Sequence, residues 1–201
     1  MSLKIKIMKN LYIKFLPVFC VFFITLSCKA QEYPLNTDFM TIPNHSYLKD
    51  FNNELDTYIG IYKGSFNNKG IDLYITKQYN KSITYSSKQF YRDVLLIKFI
   101  VKDSNGIVLQ DTQNMVFQPN QITHTIYSLR TKPALNMVSL TYGGTNCGVG
   151  NGRIYLKKLN STQLSWDYYP DDTIIDSNKC PSGTDINIYL PQTKDLLFTK
   201  Q

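Results

Sequence analysis

The stretch FYRDVLLIKFIVKDSNGIVLQD, residues 90–111, decides the fold of this chain. Residues 90–102 and 107–111 are two mostly apolar runs rich in β-branched and aromatic side chains. Between them lies the turn sequence Asp103-Ser104-Asn105-Gly106. Asn-Gly between apolar runs is typical of a β-hairpin because both residues tolerate positive φ. The stretch therefore predicts two antiparallel strands.

Alternation with period two continues on both sides of this hairpin. Ile71, Leu73 and Ile75 alternate with Asp72, Tyr74 and Thr76. The turn at 67–70 joins this strand to an earlier one over 58–66. Further strands are expected at 121–128, 136–142, 153–159, 163–169, 185–190 and 196–200. About eight to ten short strands predict an all-β antiparallel meander that closes as a lipocalin-like barrel or forms a two-sheet sandwich.

One segment departs from this alternation. Leu48, Phe51, Leu55 and Tyr58 follow each other at spacings of three, four and three, with polar residues between them. This spacing predicts one short amphipathic helix that lies on the core before the first strand.

The N-terminus has the pattern of an export signal. Lysines between Lys4 and Lys14 precede an uncharged apolar core over 15–26. As a helix this core would rise only about 18 Å, too short for a hydrocarbon layer of about 30 Å. Residues 1–27 are therefore expected to be a signal peptide, with the start of translation at Met1 or Met8.

The sequence Leu26-Ser27-Cys28 resembles the lipobox of bacterial lipoproteins, with Thr25 where that family usually has an aliphatic residue. The resemblance implies that Cys28 is lipidated and becomes the new N-terminus. Cleavage after Ala30 is the alternative and would leave a secreted protein. In the first case residues 28–42 form a tether and 43–201 form a single barrel-like domain.

The positive charge of the chain is concentrated in the signal segment. The formal charge is +7, but four of the 22 basic residues and none of the 15 acidic ones precede Cys28. The remaining chain has 18 basic and 15 acidic residues, a net charge of +3. A domain so close to neutral is not expected to bind nucleic acid.

The chain has four cysteines. Cys20 lies in the signal core and Cys28 is the lipidation candidate, which leaves Cys147 and Cys180 for the folded domain. Thiols exported from the cytoplasm tend to oxidise, so we expect a disulfide between these two. The alternative, a catalytic thiol at Cys147, requires a nearby base to which the sequence does not point.

Several motifs resemble an uncharacterised family of Bacteroidota cell-envelope lipoproteins, a domain of unknown function. The motifs lie at 55–62 (LDTYIGIY), 91–95, 103–106, 163–166, 190–191 and 197–201. The resemblance implies a fold but no mechanism. Gly60-Ile61-Tyr62 is also similar to the Gly-x-Trp signature of lipocalins, which implies a similar shape only.

Candidate binding residues are few. His124, in the sequence ITHTI, is expected on a strand face with Ile122 and Ile126, either lining a pocket or bonded in the core. Tyr62 and Trp166 are the aromatic candidates for ligand contact. No catalytic set, metal-ligand spacing or cofactor motif is recognised. The sequence around Thr173 resembles Bacteroidota O-glycosylation sites.

These patterns lead to a functional expectation. The first hypothesis is a lipid-anchored, non-enzymatic domain of the cell envelope, on its periplasmic or surface side, that binds a small apolar ligand or a protein partner. The second is a structural or interaction lipoprotein with a filled core. A hydrolase is third, because no acid, base and nucleophile converge in the sequence.

Overall fold

The described chain is built from β-strands, which confirms the predicted all-β fold. The computed structural model describes residues 30–176, 178 and 180–201; residues 1–27, which are predicted to be a signal peptide, and Cys28 lie outside them. The strands are β1 (Glu32–Pro34), β2 (Tyr47–Lys49), β3 (Gly60–Phe66), β4 (Lys69–Tyr85), β5 (Lys88–Lys102), β6 (Val108–Asp111), β7 (Ile126–Lys132), β8 (Met137–Tyr142), β9 (Gly152–Lys158), β10 (Gln163–Pro170) and β11 (Leu196–Lys200). In this part of the chain, no helix has the length and apolar character needed to cross a bilayer.

Eight strands form a closed antiparallel barrel, the first of the two predicted architectures. β3, β4, β5 and β7 to β11 follow one another around it in chain order. The barrel closes where Lys200 of β11 pairs with Tyr62 of β3, and where Ile97 of β5 pairs with Ile126 of β7. The short strand β6 pairs with the end of β5 beyond this closure.

Both predicted hairpins are present, and their turns have the expected chemistry. β3 and β4 are joined through Asn67 and Asn68, whose φ angles of 49° and 60° are left-handed. Between β5 and β6, Gly106 has a φ of 82°, and the carboxylate of Asp103 accepts hydrogen bonds from the backbone N–H groups of Asn105 and Ile107. Asn and Gly are the residues that adopt these angles with least strain.

The interior of the barrel is filled by side chains. On β5, Leu95, Ile97, Phe99 and Val101 are buried, whereas Lys98 lies on the outer face. The largest fully buried side chains are aromatic: Trp166, Tyr62, Tyr142, Phe99 and Phe198. An eight-stranded barrel is only wide enough for its own side chains or one small ligand. Here the side chains occupy that space.

The predicted helix over 48–58 is wrong. Leu48 pairs as part of β2 with β5, and only Asp56–Tyr58 form a single 3-10 turn. The carboxylate of Asp50 accepts hydrogen bonds from the backbone N–H groups of Glu54 and Leu55, and this fixes a turn instead. Leu48 and Leu55 are also buried in two different clusters, which one helical face could not reach together, and Phe51 is exposed.

Residues 32–42 belong to the folded unit, which differs from the tether expected over residues 28–42. Leu35 and Ile42 are buried, and β1 pairs in parallel with β2, so the folded unit begins at Glu32. Two predicted strands also differ. The strand expected at 121–128 begins at Ile126, and 185–190 form no strand.

β4 and β5 extend beyond the barrel as a two-stranded ribbon. β3 pairs with β4 only as far as Ile75, whereas β4 and β5 remain paired up to Tyr85 and Lys88. A bulge between Gln78 and Lys81 interrupts the ribbon. The segment before β3 packs on this ribbon through a second apolar cluster: Ile42, Leu48 and Phe90, with Tyr33, Phe39 and Ile83 against them.

The predicted disulfide between Cys147 and Cys180 is present. Cys147 lies in the glycine-rich loop between β8 and β9, and Cys180 lies in the segment between β10 and β11. The bond joins residues 33 positions apart and closes a loop that contains the whole β9–β10 hairpin. The side-chain amide of Asn146 supports the same connection by donating to the carbonyl of Asp185 at 2.7 Å.

We expect replacement of both cysteines, Cys147→Ser with Cys180→Ser, to lower the free energy of unfolding by roughly 3 to 4 kcal/mol, because the unfolded chain loses a constraint. Urea unfolding followed by circular dichroism measures this change. Wild-type protein reduced with dithiothreitol serves as the control and should unfold at the same urea concentration as the double variant. Coincident curves for oxidised and reduced protein would contradict the prediction.

Candidate functional site

The three sequence-predicted ligand residues do not form one site. Tyr62 and Trp166 lie in the filled interior, where the indole N–H of Trp166 donates to the carbonyl of Pro191 at 3.2 Å. The ring of Trp166 packs against Phe198 with centroids 5.8 Å apart. These aromatic side chains are therefore part of the core.

His124 is not on a strand, which corrects the sequence prediction. It has a φ of 65° in the turn before β7, and its backbone N–H donates to the carbonyl of Gly144 at 2.7 Å. Its Nδ1 lies 3.3 Å from Nε2 of Gln110, and its Nε2 lies 3.1 Å from Oδ1 of Asn146. Ile122, expected on the same buried face, is exposed. Both ring nitrogens of this histidine thus have amide neighbours.

A different set of residues forms the most unusual site. The chain contains nineteen lysines but only three arginines, Arg92, Arg130 and Arg153. All three line one groove of about 470 Å3 on the outside of the barrel. The groove lies between the outer wall formed by β7, β8 and β9 and the β4–β5 ribbon. Its lining is Thr37, Phe39, Ile83, Thr84, Tyr85, Phe90, Arg92, Tyr127, Leu129, Arg130, Ser139 and Arg153. We call it the arginine groove.

Arg92 is a buried cation without a carboxylate partner in the described chain. The residue is 6% exposed. Its Nη2 donates to the carbonyl of Leu35 at 2.6 Å, and its buried Nε has no partner. Burial, and then the charge of Arg130, lower the pKa of Arg92 to about 10, so the guanidinium stays charged at neutral pH. Burying an ion that has no counter-ion is costly.

The other two arginines extend this positive charge along the barrel wall. Arg130 on β7 lies opposite Ser139 on β8, and Arg153 on β9 lies opposite Thr141. Both arginines are exposed, and the ion pairs found between described residues include neither of them. The lining of the groove contains no Asp or Glu.

A lysine adds to the positive charge beside the groove. Lys81 pairs with Arg92 across the ribbon, so the two side chains lie on the same face. The ammonium of Lys81 lies 5.1 Å from the ring centroid of Tyr127, and burial lowers the pKa of this lysine. Burial raises the pKa of the Tyr127 phenol, so that hydroxyl stays neutral.

Aromatic rings form the other wall of the groove. Phe39 stacks on Phe90 with centroids 5.1 Å apart and meets the edge of Tyr85 at 5.3 Å. Hydroxyl groups of Thr37, Thr84 and Ser139 are interspersed among them. The arrangement offers cationic donors and an apolar surface to the same ligand.

A second buried cation, Lys77, shows the opposite arrangement. Its ammonium contacts the carboxylates of Asp50 at 2.9 Å and Asp56 at 2.7 Å. Burial alone would lower the pKa of Lys77, but the hydrogen bonds and charges of Asp56 and Asp50 raise it. The charge of Lys77 is therefore neutralised within the fold, whereas that of Arg92 is not.

Sequence reasoning missed the arginine groove because it summed arginine and lysine into one net charge. The signal that could have indicated it is the scarcity of arginine, together with the position of Arg92 and Arg153 in predicted strands and of Arg130 just after one. Arginine is preferred over lysine where an anion is bound through two parallel hydrogen bonds. Among the described residues, no group of three or more His, Cys, Asp or Glu could hold a metal ion.

Comparison with known proteins gives one finding. Residues 8–201 match a family described as a family of unknown function, DUF6705. No curated protein matches the chain, and no solved structure matches it. The similarity in shape to lipocalins therefore stays a prediction.

The two buried cations should respond differently to the same substitution. We expect Lys77→Met to lower the free energy of unfolding by about 3 to 5 kcal/mol, because it leaves Asp50 buried without its partner. Arg92→Met should change it by less than about 1 kcal/mol, because the hydrogen bond lost to Leu35 is offset by removal of a buried charge. Urea unfolding of both variants measures the contrast. Equal losses would mean that Arg92 is a structural cation.

Proposed function

The chain belongs to the DUF6705 family, and we propose that it is a non-enzymatic binding module whose ligand carries a carboxylate, phosphate or sulfate group. The observation that carries this proposal is the convergence of all three arginines on one groove that no carboxylate lines. Arg92, which is buried and charged and has no counter-ion among the described residues, is its centre.

The energetics of Arg92 support a ligand. A buried cation is stable only when hydrogen bonds and an opposite charge offset its lost hydration. In the described chain the guanidinium has the carbonyl of Leu35 but no carboxylate. A bound anion would supply the missing charge, and charge-assisted hydrogen bonds to guanidinium groups are among the strongest in proteins.

The proposed ligand differs from the small apolar one expected from the sequence. From the sequence, the apolar ligand is assigned to Tyr62, His124 and Trp166, but the side chains of Tyr62 and Trp166 lie in the filled interior. The outer groove favours an anion with an apolar or ring-shaped part, because Phe39, Phe90 and Tyr127 lie beside the arginines. A sugar acid, a sugar phosphate and a lipid headgroup share this chemistry.

We also propose that the protein is a lipoprotein of the cell envelope, anchored through Cys28. The apolar segment before Cys28, the lipobox-like sequence and the family resemblance support this location. The Cys147–Cys180 disulfide agrees with it, because disulfides persist in oxidising compartments. Secretion without an anchor, after cleavage at Ala30, is the alternative.

A purely structural lipoprotein is the second candidate function, and the filled barrel favours it. Such a protein would need no ligand, and its arginines would serve solubility only. Hydrolysis finds less support, because both ring nitrogens of His124 contact amide side chains, those of Gln110 and Asn146. Binding of an anion at the arginine groove separates the first candidate from the second.

Inorganic sulfate and phosphate are the probes for the groove. A saturating anion should stabilise the fold by about 2.7 kcal/mol at a hundredfold excess over its dissociation constant. Thermal unfolding measures this effect. Chloride is the reference anion, and all samples have the same ionic strength, so that general screening by salt is equal in each of them. Combined Arg130→Gln and Arg153→Gln should lower the affinity at least about tenfold, because charged hydrogen bonds are lost.

The chain offers a matched control for that variant. Lys132 and Lys157 are exposed residues of the same two strands, two and four positions from Arg130 and Arg153, and they do not line the groove. Lys132→Gln with Lys157→Gln removes the same net charge and should leave the affinity unchanged. Equal losses in both variants, or no saturable effect of either anion, would refute the proposed function.

Intact-mass spectrometry of the protein purified from its own membranes tests the anchor. We expect a chain that begins at Cys28, carries acyl groups and is two mass units lighter than the reduced form because of the disulfide. Cys28→Ala should abolish the acyl mass. A mature chain that begins at Gln31 without lipid would contradict the anchor and favour secretion.

A further inference from the structure

We infer that the arginine groove binds the phosphate of an anionic lipid headgroup in the membrane to which the protein is anchored. The inference rests on the proposed function, both for the anion site and for the anchor at Cys28. It adds the source of the anion: a lipid of the membrane rather than a soluble metabolite.

The reach of the chain keeps the folded unit close to the membrane. That unit begins at Glu32 in β1, four residues after Cys28. Four residues span at most about 14 Å when fully extended. An acylated Cys28 would therefore hold Glu32 within about this distance of the headgroup layer, whatever path the intervening residues take.

The topology places the ribbon turn at the same end of the molecule as Glu32. β1 pairs in parallel with β2, and β2 pairs in parallel with β5. In this register Glu32 lies level with Tyr47, and Tyr47 with Tyr91. The start of β5 and the turn that joins it to β4 thus lie at the end where the folded chain begins. Residues of that end, among them Thr84 and Tyr85, line the groove.

The surface chemistry at this end suits a bilayer surface. Tyr85 and Met40 are both 60% exposed, although they are large apolar side chains. The ammonium of Lys88 donates to the carbonyl of Met40 at 2.9 Å and adds a positive charge beside it. Aromatic side chains and lysine are favoured at the interface between headgroups and hydrocarbon.

Charge complementarity then favours phosphate as the group that enters the groove. Arg92, Arg130 and Arg153 line it, Lys81 lies beside it, and no carboxylate lines it. Arginine clusters bind phosphate oxygens through paired hydrogen bonds, and anionic headgroups attract such clusters. A tether also raises the effective concentration of headgroups at the groove far above that of a free solute.

Quenching of an indole placed on the ribbon tests the assignment. The chain has one tryptophan, Trp166, which is fully buried, so Tyr85→Trp adds a reporter beside the groove. The lipidated variant is placed in phosphatidylcholine vesicles in which about a third of the lipid is brominated phosphatidylglycerol or, for comparison, brominated phosphatidylcholine. We expect the brominated anionic lipid to quench the fluorescence of the new tryptophan at least about twofold more than the brominated phosphatidylcholine does.

Two pairs of further substitutions show whether the groove causes this difference. Adding Arg130→Gln and Arg153→Gln should remove the difference in quenching. Adding Lys132→Gln and Lys157→Gln, which lie outside the groove, should preserve it.

The outcomes separate the lipid assignment from the proposed function. Equal quenching by both lipids, with sulfate and phosphate still bound in solution, overturns the lipid headgroup and leaves a soluble anion as the ligand. Loss of anion binding in both experiments refutes both proposals. A difference that survives the two arginine substitutions also overturns the assignment, because the lipid would then be held by another positive surface.

Discussion

The packing of aromatic rings inside a narrow barrel is the constraint on which the rest of the structure depends. Trp166 contacts Phe198 and Tyr168, and Tyr168 meets Tyr142, each with its ring tilted or edge-on to the next. Such pairs add to the stability gained from burial alone. Because these rings fill the interior, a ligand of appreciable size has to be bound on the outside of the barrel. The groove there lies between the barrel wall of β7 to β9 and the parts of the chain that extend beyond the barrel.

The N-terminal segment and the ribbon explain how a charged side chain comes to be buried outside the core. Leu48 lies opposite Arg92 on one neighbouring strand, and Lys81 lies opposite it on the other. The apolar cluster of Ile42, Leu48 and Phe90 excludes water from this face. In such surroundings electrostatic interactions are less screened, so an anion that reaches Arg92 interacts more strongly than it would at an exposed arginine.

Local sequence patterns predict the barrel well and the groove poorly. The turns at Asn67-Asn68 and Asn105-Gly106 are short-range signals, and both hairpins form where the sequence places them. The predicted helix fails because Leu48 and Leu55 are buried in different clusters, which depends on tertiary pairing and not on spacing. The arginines are 38 and 23 positions apart in sequence, and only the closed barrel with its ribbon brings them together.

The ribbon has a consequence for proteins crowded together on one surface. Beyond Ile75 the outer side of β4 no longer pairs with β3, and an open strand edge of this kind invites pairing with a neighbouring copy. The bulge between Gln78 and Lys81, with Asn80 at a φ of 53°, interrupts the regular row of backbone donors and acceptors along that edge. The charged side chain of Lys81, next to the bulge, also disfavours pairing with a like strand. The irregularity in the ribbon would therefore keep neighbouring molecules from joining edge to edge into aggregates.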